Sequence, residues 1–112
     1  MLPRNQRLNL KKNFKWVAGG KKLETKYLKL FLKIGDNQSP RAGIAVSSHI
    51  FKKSSQRNRA RRLISAALEA LYLKLPQNIN IVALPKATIL SVKSGDVLLE
   101  LEEKLQNEKI ID

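Results

Sequence analysis

The chain has no cysteine, which excludes a disulfide framework and any thiolate metal site and suits a reducing compartment. Glycine and proline are sparse, 5 and 4 residues in 112, too few for a low-complexity or collagen-like chain. No apolar run approaches the ~20 residues of a membrane span, and the opening MLPRNQRLNLKK has no apolar signal-peptide core, so the cytoplasm is the expected location. Histidine occurs once, at His49; with no cysteine or second histidine to join it, a metal site is not expected and His49 reads as a solvated strand-end residue. The scattered carboxylates form no convincing catalytic pair, so no catalytic residue is assigned.

Negative charge is scarcest where it would matter most. Residues 1–62 carry 17 basic and 2 acidic groups, net +15, whereas residues 63–112 carry 5 and 7, net −2. A compact chain at +13 is repelled by itself and is tolerated where a polyanion neutralises it; nucleic acid leads, and an anionic membrane surface follows.

There is no repeat and no break in composition, so residues 1–112 read as one domain. NLKKNFKWVAGG spaces Leu10, Phe14 and Val17 for a short helix stopped by Gly19-Gly20, with Trp16 either partly exposed or filling core. KYLKLFLKI alternates strictly, with Leu28, Leu30, Leu32 and Ile34 on one face and Tyr27, Lys29, Phe31 and Lys33 on the other, which is a strand with one buried face. GDNQSPRAG turns the chain and GIAVSS reads as the next strand, expected antiparallel to the first. A long helix from about Ser54 stops before Pro76, NINIVAL gives a further strand, and SGDVLLELEEKLQNEK a last helix with Ser94 as expected N-cap.

The long helix sets Ala60, Leu63, Ile64, Ala67 and Leu71 on one stripe at ~100° per residue, facing the core. Asn58, Arg59, Arg62, Ser65 and Ala66 fall opposite, and Arg57 and Arg61 flank the seam. Four arginines within the first turns are the wrong sign for a helix N-terminus, by roughly 0.3–1 kcal/mol each at low salt. Exposed amides and guanidinium forks there suit phosphate; the plainer alternative is a solvated basic helix end. The strand face Tyr27, Lys29, Phe31, Lys33 interleaves rings and cations as single-stranded nucleic acid requires, or packs beneath a helix.

RAGIAVSSHIFKKSSQRNRARRLISAAL resembles the signature of the bacterial ribonuclease P protein component, with Arg57, Asn58, Arg59, Arg61 and Arg62 in register with its Arg-Asn-Arg-x-(Lys/Arg)-Arg helix. The likeness runs over nearly the whole chain, from LPRNQRL to LPQNINIVALPKA. It implies a two-layer α+β domain in the order helix-strand-strand-strand-helix-strand-helix, a mixed four-stranded sheet, and a left-handed βαβ crossover like that of a small-subunit ribosomal protein domain. It implies an accessory subunit of the endoribonuclease that removes the 5′ leader of precursor tRNA, with catalysis and Mg2+ held by the RNA subunit and no cofactor on the protein. Its partners would be the catalytic ribonuclease P RNA and precursor tRNA, with neither membrane nor DNA. The resemblance assigns RNA contact to the Arg-rich helix and to a basic connection of Ser48, His49, Lys52 and Lys53. It assigns leader contact to Phe14, Tyr27, Lys29, Phe31 and Lys33. The chain departs from the family at Ser48 and His49, where two lysines are usual, at Ser65, where an arginine is frequent, and at Ala18, where a second aromatic is frequent. A ribosomal or RNA-assembly protein shares the charge and size. A helix-turn-helix DNA binder would need a short helix where this chain has a strand.

Overall fold

The computed structural model describes residues 2–112. The elements run α1 Leu10–Ala18, β1 Lys21–Glu24, β2 Leu28–Ile34, β3 Arg41–Ile44, α2 Ser54–Leu71, β4 Ile79–Pro85 and α3 Ser94–Asn107, with short 3-10 turns between some of them. The Asn9 side chain caps α1 by accepting from the Lys12 N–H at 3.3 Å, and the helix ends at Gly19 as the sequence predicts. α2 gives way to a 3-10 turn at Tyr72–Lys74 before Pro76. Ser94 is the first residue of α3, not its cap; the Asp96 carboxylate accepts from the Lys93 N–H at 3.0 Å.

The strands form one sheet in the order β1-β2-β4-β3. β2 is antiparallel to β1 and to β4, while β3 is parallel to β4. The expected antiparallel pairing of β3 with β2 does not occur, because β4 lies between them. β4 is buried at six of its seven positions, so it carries apolar residues on both faces, as a central strand must. β1 is an edge strand of sequence KKLE with only Leu23 buried.

One face of the sheet holds the main core. Leu28, Leu30 and Leu32 of β2 and Ile79, Ile81 and Ala83 of β4 meet α2 and α3. All five stripe residues of α2 are buried, as is Leu68. Two expectations fail at the margins. Ile34 closes β2 beyond the helices and is 55% exposed. Ser65, placed on the outer arc of α2, is buried, in a cleft it shares with Leu2, Arg7 and Leu10 of the N-terminal segment.

The other face is crossed by α1. Registers across β2, β4 and β3 make three rows here: Lys33, Asn80 and Arg41; then Phe31, Val82 and Gly43; then Lys29 and Leu84. α1 lies over the middle row, with Leu10 against Gly43, Val17 in a cluster with Val82, and Phe14 against Phe31. Gly43 gives Leu10 its seat: a β-carbon there would stand 2.7 Å from Leu10 Cδ2, and the leucine side chain would have to shift to admit it.

Candidate nucleic-acid interface

A helix across the middle row leaves a groove on each side. Along α1, Phe14 and Ala18 flank the Leu10–Val17 seam on one side, and Asn13 and Trp16 on the other. The two flanks do not share their residues, and this divides the cleft expected from sequence.

On the first flank, Phe14 and Phe31 make an edge-to-face pair with centroids 6.5 Å apart. Leu84 and Ala45 pack into the same cluster, and Lys29 precedes Phe31 by one pleat on the same face. The N–H of Ala45 donates to the Ala83 carbonyl at 2.9 Å, so the connection from β3 to α2 leaves the sheet beside these rings. That connection presents Ser48, His49, Lys52 and Lys53, all four exposed. The His49 N–H donates to Ser47 Oγ at 3.1 Å within a turn. Phe51 is fully buried and anchors the loop.

The structure separates the other two residues assigned to this cleft. Tyr27 precedes β2 and packs against the main core instead, beside Asp96 and Glu100 of α3. Lys33 lies on the far flank, where its Nζ sits 5.1 Å from the centre of the Trp16 ring. Strict alternation along a strand placed both with Phe31; it could not register that Tyr27 lies outside the ladder or that α1 would pass between Lys29 and Lys33.

The start of α2 is bare of carboxylates, and Gln56 Oε1 accepts from the Lys53 N–H at 3.3 Å. The arginines are not equivalent. Arg57 Nη1 donates to the carbonyls of Phe51 and Lys52 at 2.8 and 3.2 Å, tying the connection to the helix. Arg59 Nη2 donates to the Val92 carbonyl at 3.0 Å, and Arg61 Nη1 to Asn58 Oδ1 at 3.2 Å. Arg62 is exposed. A guanidinium that already donates once or twice still has N–H groups left for phosphate, since it carries five. From the sequence Arg57 is expected to meet an anion; its bracing of the connection was not legible there, because the partners are backbone carbonyls.

Negative charge collects on α3, which carries Asp96, Glu100, Glu102, Glu103 and the flanking Glu108. Lys86 holds the Glu24 carboxyl below its ordinary range through a 2.7 Å ion pair, and Lys21 does the same for Glu108 at 3.0 Å. Among the described residues, no helix is long and apolar enough to cross a membrane.

A family model described as ribonuclease P matches residues 2–109. The chain belongs to the ribonuclease P protein family. It is thus a protein subunit of a tRNA-processing endoribonuclease that works with ribonuclease P RNA. Solved structures share its fold. Ribonuclease P protein from Thermotoga maritima matches with a TM-score of 0.78 at 24% identity, over 90% of this chain and 96% of that one. Ribonuclease P protein from Staphylococcus aureus matches with a TM-score of 0.80 at 16% identity, over 96% and 98%. A mutant of the S. aureus protein, described as defective in mRNA degradation activity, matches with a TM-score of 0.83 at 15% identity, over 96% and 92%. A search of curated proteins finds no match.

Proposed function

We propose that this ribonuclease P protein binds precursor tRNA and supports removal of its 5′ leader, while the RNA subunit carries catalysis and the Mg2+ it needs. The observation that carries this reading is the adjacency of two surfaces. The Phe14–Phe31 pair with Lys29 and the arginine-rich start of α2 are joined by the Ala45–Lys53 connection. Rings stack unpaired bases whatever their sequence, at ~1–3 kcal/mol per base. Lys52, Lys53 and the guanidinium groups of Arg57, Arg59, Arg61 and Arg62 meet phosphates, an interaction weakened by salt. A single-stranded leader fits the first surface and a folded RNA backbone the second. The protein brings positive charge to the join between two polyanions and lowers the magnesium needed to hold them together. Such a subunit works where tRNA is made and matured, in the cytoplasm.

The test is precursor-tRNA cleavage at low magnesium by ribonuclease P RNA, with and without this chain. Restored cleavage is expected; an unchanged rate at every magnesium concentration would refute the role.

A further inference from the structure

We propose that the second groove, on the far flank of α1, binds one unpaired RNA nucleotide, its base stacked on Trp16 and its phosphate held by Arg41. This site presupposes an RNA-binding chain, as proposed above, and is separate from the Phe14–Phe31 surface. The groove encloses about 360 Å³ between α1, the loop after β2 and the start of β3, and its lining includes Asn13, Trp16, Asp36, Asn37, Arg41 and Asn80.

Three features make it a binding site and not merely a gap. Trp16 is 41% exposed, and its ring has a neighbour on its face and another at its edge. Lys33 stands over it at 5.1 Å, and its edge fills the space at Gly35, where a β-carbon would come within 2.8 Å of Cη2. The walls are cross-bonded. Asn80, 4% exposed near the start of the central strand, donates from Nδ2 to Asn37 Oδ1 at 2.8 Å and to the Lys33 carbonyl at 3.3 Å. Asn37 in turn donates from Nδ2 to the Ser39 and Ile79 carbonyls at 2.7 and 3.2 Å. A polar residue in an apolar strand is costly unless fully bonded, and this one stiffens the loop that closes the groove. Finally, the chemistry is complementary to a nucleotide. Indole offers a stacking plane beside a cation, and Asp36 and the amides offer hydrogen bonds to a base edge. Arg41, opposite Asn80 in the register, is exposed and forms none of the ion pairs found among the described residues.

Because Trp16 is the only tryptophan, its fluorescence reports on this groove alone. A short labelled single-stranded RNA should quench it saturably, with the midpoint found by anisotropy. Trp16→Leu should weaken binding by roughly tenfold, within the range for one stacked base, and Arg41→Ala should lower the log–log salt slope by about one. If Trp16→Leu fails to fold, Arg41→Ala at an exposed position carries the test. Ribonuclease P RNA, precursor tRNA and mature tRNA are then titrated separately. Quenching by ribonuclease P RNA assigns the nucleotide to that subunit, and quenching by precursor but not mature tRNA assigns it to the leader; either supports the site. Binding by anisotropy with unchanged fluorescence for all of them overturns it, as does equal quenching by blunt duplex RNA. A chain that restores cleavage without quenching refutes this groove alone. Quenching without restored cleavage refutes the processing role alone.

Discussion

Phe14 of α1 stands edge-on to Phe31 of β2, with centroids 6.5 Å apart and planes inclined at 69°. The pair is worth roughly 0.5–1.5 kcal/mol beyond the area it buries, and it holds Phe31 part-exposed beside the basic connection. Phe31→Ala should therefore reduce affinity for precursor tRNA by about 1–3 kcal/mol while leaving affinity for mature tRNA nearly unchanged. Tyr27→Ala, on the other side of the sheet, should leave the difference between the two RNAs intact. Filter binding of both RNAs, with unfolding transitions measured alongside, decides the matter; equal losses for the two would remove Phe31 from the leader's path.

Arg62 and Arg59 should part company under mutation. Arg62→Ala should lower the salt slope of RNA binding by about one for each phosphate left without its cation, with an unaltered melting temperature. Arg59→Ala should do the same and also destabilise the protein, because the Val92 carbonyl loses its donor, an effect of about 0.5–1.5 kcal/mol. Salt titrations and thermal melts on both variants separate a residue that touches RNA from one that also braces the fold.

The α2 stripe makes a prediction about stability alone. Ile64 and Leu71 are fully buried in the main core, so Ile64→Ala or Leu71→Ala should cost roughly 2–5 kcal/mol through the cavity left behind. Chemical denaturation would show a lower midpoint; an unmoved midpoint would mean that the seam tolerates collapse.

Acid should loosen the edge of the sheet. Glu24 and Glu108 both have lowered folded-state pKa values, through Lys86 and Lys21 respectively. The unfolded chain binds more protons than the folded one in that range, so stability rises with pH. The contribution is present above the ordinary carboxylate value and is lost as pH falls through the lowered one. Glu24→Gln should flatten the acid limb of a plot of melting temperature against pH at low salt, and added salt should mask the effect.

What could be foreseen follows the distance over which each signal acts. The alternation of Leu28, Leu30 and Leu32 and the stripe from Ala60 to Leu71 are local patterns, and both faces lie where periodicity puts them. β1 escaped notice in the residues themselves, because KKLE offers one apolar residue and is a strand by pairing with β2; only the family resemblance implies a third strand before α2. The partner of β3 escaped because a turn says that the chain bends, not which strand awaits it; the strand that does, β4, arrives thirty-five residues after β3 ends, counted from Ile44 to Ile79. In the site, the arginine-rich helix start was plain because charge and helical phase are both written in a few consecutive positions. The division of Lys29 from Lys33 was hidden because it depends on how α1 lies over the sheet.

The position of β4 also bears on how the chain comes to be folded during synthesis. β2 and β3 do not touch; each is completed by a strand that leaves the ribosome after both of them and after all of α2. Until then the β1–β2 hairpin is the one part of the sheet that can pair, and a two-stranded hairpin is marginal alone. The nascent segment is at that stage an open polycation, since the 17 basic groups of residues 1–62 are accompanied by only two of the nine acidic ones. Its repulsion delays collapse, and RNA nearby can neutralise it before the sheet has closed. A chain cut before Ile79 should therefore be unfolded yet still bind RNA, losing the sheet while keeping the charge.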